Sequence, residues 1–146
     1  MTQRSRLAAA LALGVLLAAL AAVSGPFLNA PALARWTIQT QDENPVRAAL
    51  AIIAIRHLPM FLLAVAAGNI IFRVLRNTSP AVTAAAAAPW LLYVLVTGSM
   101  DAVAAGEEAL SWVTYQPAYF IWPHFVALPV GLLAARRMVQ QAEHIG

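Results

Sequence analysis

Residues 46–72 read VRAALAIIAIRHLPMFLLAVAAGNIIF, and how this stretch is taken decides the fold. It contains no acid, and its ionisable groups beyond Arg47 are the adjacent Arg56 and His57. It is longer than the ~20 predominantly apolar residues that carry a helix across a bilayer. A soluble domain of this size has no core able to enclose so long an apolar helix. The stretch therefore predicts a membrane span.

The rest of the chain repeats the pattern. Apolar runs predict further spans at 7–24, 80–100 and 118–136, with polar connections at 25–45 and 101–117 and a short basic turn at Arg73, Arg76, Asn77 and Ser79. Trp36 in the first connection and Tyr119, Phe120 and Trp122 at the start of the last run suit the headgroup level, where amphipathic rings gather. The expectation is an all-α integral membrane bundle of four transmembrane helices, one domain over 1–146, multi-pass in the cell membrane. Composition agrees: 62% of residues are hydrophobic and 10% charged, whereas soluble domains carry about a quarter charged residues.

The net charge of +3 does not point to nucleic acid, because the nine basic residues are all Arg and are scattered over several segments instead of forming one basic face. Cysteine is absent, which excludes disulfides, thiolate metal sites and a cysteine nucleophile. The glycines are isolated, so no phosphate-binding loop is present. No serine stands beside a plausible base.

Orientation follows from the arginines, since short basic flanks stay in the cytoplasm. Arg4, Arg6, Arg73, Arg76, Arg136 and Arg137 fall on one side of a four-span chain, opposite Asp42, Glu43, Asp101, Glu107 and Glu108. Both termini are thus expected in the cytoplasm. Residues 1–24 also fit a cleaved secretory signal, with Ala22, Val23 and Ser24 before Gly25 as a passable cleavage site. Three spans would then remain, with the same sidedness.

Small residues recur four apart: Ala10, Gly14, Ala18 and Ala22; Ala64 and Gly68; Ala127, Gly131 and Ala135. Faces of this kind let helices approach closely in lipid, within one bundle or between subunits. Proline inside a span removes a hydrogen bond and displaces the carbonyl four residues earlier, so Pro59, Pro89, Pro123 and Pro129 free the carbonyls of Ile55, Ala85, Tyr119 and Phe125. Two of these neighbour Arg56 and His124.

Arg56, His57 and His124 form the candidate ligand site, because ionisable groups within a span are costly and mostly face a bundle interior. At about 1.5 Å per residue, His57 lies roughly 24 Å from Arg73 and His124 roughly 18 Å from Arg136, placing both in the outer half about one turn apart in depth. Three ligand chemistries fit. The histidines are possible axial ligands of haem b. With Arg56 they match a quinone or lipid headgroup, and with Asp101, Glu107 or Glu108 they match a divalent metal. The structural alternative is that each histidine serves a proline-freed carbonyl and Arg56 snorkels. Asn69 is expected to bond to a neighbouring helix, and Glu107 and Glu108 to lie on a solvated surface helix with Leu110 and Trp112 turned toward the bilayer.

The leading functional expectation is a non-catalytic subunit or accessory protein of a membrane complex, not an enzyme on its own, with the lipid bilayer, other membrane subunits or further copies of itself as partners. The alternatives are a haem b- or quinone-binding anchor of an electron-transfer complex using His57 and His124, and an oligomeric small-solute carrier or channel.

Overall fold

The computed structural model describes residues 2–28, 39–40, 44–111, 113 and 118–145, with backbone alone at 24–28, 52, 56, 118–124 and 145. The described residues are mostly helical, and none of them lies in a strand. Helix α1 covers Gln3–Leu28, α2 Pro45–Ile52, α3 Leu58–Leu75, α4 Pro80–Ala104 and α5 Ala118–Ile145. A π-helical turn, Ile53–His57, joins α2 to α3 as one rod. The rods Gln3–Val23, Pro45–Leu75 and Pro80–Ala104 are each long and apolar enough to cross a membrane, and no more than 33% of the apolar window in any of them is buried within the protein. Leu16, Val23, Ile70, Val74 and Leu92 all project outward. Water-facing monomers rarely expose apolar patches on this scale. The predicted fourth span, 118–136, begins in residues whose side chains are not described, and its helix continues to Ile145.

Local chemistry sets the ends of the rods. Asn44 and Ser79 accept from the backbone N–H groups of Arg47 and Val82 (3.0 and 3.4 Å), each followed by a proline that has no N–H to satisfy. Helix α3 stops at Arg76, whose φ of 47° is left-handed; the N–H of Arg76 donates to Arg73 O and that of Asn77 to Phe72 O. The same device ends α4, with Gly106 at φ 80° and Glu107 N–H donating to Ala102 O at 2.9 Å. That glycine, not the polar Asp101, terminates the helix, so α4 runs four residues past the predicted end of the third span. Helix α1 likewise continues through Leu28, four residues into the predicted 25–45 connection. The remainder of that connection, including Trp36, lies outside the described residues apart from Gln39, Thr40, Asn44 and Pro45, the last of which opens α2.

The four rods alternate in direction, but the close packing is not between neighbours in sequence. Helix α1 packs chiefly on α4, and α3 chiefly on α5, each pair running parallel. Glycines set the distance. A Cβ at Gly14 would strike the backbone oxygen of Ala86. At Gly68 it would meet Ala135 Cβ at 2.7 Å, and at Gly131 it would meet Ala64 Cβ and Phe61 O at 2.6 Å. Nearly all the small-residue faces are therefore used inside the bundle; Ala22 is half-buried and, with Ala18 and Ala19, lines a lateral groove of 520 Å³ against Pro89, Leu92 and Tyr93. Two buried clusters fill the interior. One, around Trp90, Leu128 and Leu132, lies toward the end where α1 finishes. The other joins Ala10, Phe72, Leu75, Val82 and Val139 at the end where α1 begins.

Candidate functional site

The site is built at the break between α2 and α3. Pro59 can donate no hydrogen bond, and the π turn immediately before it widens the helix by one residue, a feature that often marks functional positions. The extra residue also corrects the phase of the rod. Ala48 and His57 are nine residues apart, which in an unbroken helix at about 100° per residue would put them on opposite faces. With one residue absorbed, both turn inward: Ala48 is 1% exposed and His57 4%. Below His57 the same inward stripe continues through Met60, Ala64 and Gly68.

The π turn packs against both α1 and α5. The register of the α3–α5 pair then fixes what stands opposite. Gly68 meets Ala135 and Ala64 meets Gly131, and His57 is separated from His124 in sequence by the same interval. Two turns further along this parallel pair, the backbones of His57 and His124 stand at one depth. The one-turn difference expected from counting residues to Arg73 and Arg136 disappears, because α5 is displaced along α3 by about one turn. Position 124 also falls on the stripe of α5 that carries buried Leu128, Gly131, Leu132 and Ala135. The side chains of Arg56 and His124 lie outside the described residues, so the juxtaposition is one of backbone level and helix face.

Just beneath this level, Met60 and Ala64 of α3 are packed in one cluster with Ala127 and Leu128 of α5. The two rods are close there. A porphyrin held between two imidazoles needs its helices parted by a ring on each side of the iron, whereas a hydrogen-bonded headgroup needs much less room. Among the described residues no group of three His, Asp or Glu is placed to hold a metal ion.

Other polar groups have more ordinary roles. Asn69 does not reach a neighbouring helix; its Nδ2 donates to Val65 O at 3.1 Å within α3. Thr97 likewise donates to Tyr93 O at 2.8 Å. Residues 105–110 form turns and bends in place of the expected surface helix, Ser111 and Val113 are helical, and Trp112 lies outside the described residues; Glu107, Glu108 and Leu110 are exposed, and Glu107 accepts from Ser111 Oγ at 2.7 Å. The signal that sequence reading missed is Thr78. Its carbonyl accepts from Arg136 Nε at 2.6 Å and its hydroxyl from Gln140 Nε2 at 3.4 Å, tying the α3–α4 turn to α5.

The chain matches no protein-family model, no curated protein and no solved structure at a significant level.

Proposed function

We propose that this chain is a multi-pass cell-membrane protein of four spans, both ends cytoplasmic, that binds a carbonyl-bearing, lipid-soluble ligand of the quinone class at the level of His57 and His124. The observation that carries the reading is the shared depth of these two positions on adjacent parallel helices, at a π turn whose histidine is turned inward. An imidazole N–H donates to a ketone oxygen, and Arg56, one residue before His57, supplies positive charge for a partly anionic ring oxygen. Burial of an ionisable residue inside a span supports a functional role over chance. The tight α3–α5 packing favours this ligand over haem b. The internal use of most of the small-residue faces leaves the accessory-subunit reading with less support than the ligand site.

The test is equilibrium binding of a short-chain benzoquinone to the purified protein in detergent. Binding on the order of micromolar is expected, weakened about tenfold by His57→Ala and by Arg56→Ala. No saturable binding by the unaltered protein sinks the quinone reading. A b-type band in a reduced-minus-oxidised spectrum, after expression with haem supplied, would transfer the site to haem.

A further inference from the structure

We propose that the start of α1 and the α3–α4 turn form a binding site for the phosphate of an anionic lipid headgroup, held between Arg6 and Arg136. Six arginines gather at this end of the bundle: Arg4 and Arg6 on α1, Arg73 and Arg76 at the end of α3, and Arg136 and Arg137 on α5. Among the described residues the carboxylate at this end is Glu143, which is exposed on the last turns of α5. The cations therefore greatly outnumber their counter-charges.

Within that group Arg6 differs from Arg4, Arg73, Arg76 and Arg137, which are exposed. It is half-buried, and its Nε is buried without an acceptor among the described residues. A buried donor on a charged group is costly to leave unsatisfied. The register of the α1–α4 pair shows what it stands beside. Gly14 meets Ala86 and Ala10 shares a cluster with Val82, which stands in the first turn of α4; one turn before Ala10, Arg6 comes level with the residues that precede α4. Arg6 thus lies level with the turn whose carbonyl already holds Arg136 Nε at 2.6 Å. That bond fixes the Arg136 guanidinium and leaves its other N–H groups for a second acceptor. Two arginines, one anchored through its Nε and one whose buried Nε lacks an acceptor among the described residues, lie at the level of one turn at a helix-bundle end. Guanidinium forks suit phosphate oxygens, and basic pockets between spanning helices bind anionic headgroups.

The inference rests on the bilayer-spanning reading, and its test separates the two. Full-length protein in mild detergent is offered equal phosphatidylglycerol and phosphatidylcholine, and the retained lipid is counted by native mass spectrometry. Phosphatidylglycerol should be retained about tenfold over phosphatidylcholine. Arg6→Gln should abolish most of that preference, while Arg73→Gln and Arg137→Gln keep it. Arg6→Lys, which preserves charge and solubility but not the fork, should lose part of it, so a misfolded glutamine variant does not decide the matter. Equal retention of both lipids overturns the site and leaves the membrane reading standing. So does an equal loss in the exposed-arginine variants, which would mark a diffuse field. Displacement by about 10 mM inorganic phosphate would assign the site to the free ion and overturn the lipid source.

Discussion

Single atoms set the spacing of this bundle, and the glycines show it most directly. Gly131 faces Phe61 O and Ala64 Cβ, each 2.6 Å from where its own Cβ would be. Backbone oxygen cannot move aside as a flexible side chain can, so Gly131→Val must push α5 away from α3. A loss of about 1–3 kcal/mol is expected, of the order measured when close-packed interiors are overfilled. It would be read as a lower thermal unfolding midpoint in detergent. Gly106→Ala serves as the control: open space surrounds that position and its left-handed φ makes the cost local to the end of α4. His57 obeys the same economy of space, since its imidazole is turned inward and buried.

Along the elements, the apolar runs made four rods legible because length and the lack of charge are read directly from residues. Helix ends were less legible. Asp101 looked like the start of a loop, yet the helix continues to Ala104 because termination is governed by the left-handed backbone at Gly106. The π turn was not legible at all, since nothing in IAIRH distinguishes it from a helical turn; Pro59 was the sole clue, read as a freed carbonyl. The turn behaves as a one-residue insertion, which gives a sharp expectation. Deleting Ala54, exposed within the π turn, should restore an ordinary helix while keeping Ala48 and His57 inward. The unfolding midpoint should stay within a few degrees of the parent, as for a change of well under about 1 kcal/mol. Deleting exposed Ile70 from regular α3 should instead rotate one end of the rod by about 100° and abolish the monodisperse protein. Equal damage from both deletions, seen by size-exclusion profile and melting, would refute the insertion account. The candidate site was legible as a pair of histidines, but their common depth was not, because it depends on how far α5 is displaced along α3.

At the level of the whole molecule, the segregation of charge defines two unlike ends. Arg4, Arg6, Arg73, Arg76, Arg136 and Arg137 lie at one, and Asp101, Glu107 and Glu108 at the other. Because the chain has no cysteine, single cysteines report sidedness without background. Glu107→Cys should react with a membrane-impermeant maleimide in intact cells, and Ser5→Cys only after the membrane is opened; the reverse pattern would invert the proposed orientation. The parallel pairing of α1 with α4 and of α3 with α5 has a further consequence for how the protein is made. On the proposed four-span reading, with rods entering the membrane in chain order, the first two would do so before their packing partners exist, and Gly14 and Gly68 would meet lipid tails first. The interior, built from α1 against α4 and α3 against α5, would then form only when the second hairpin docks sideways onto the first. A factor that shields exposed glycine faces during that interval is then expected to raise the yield of folded protein.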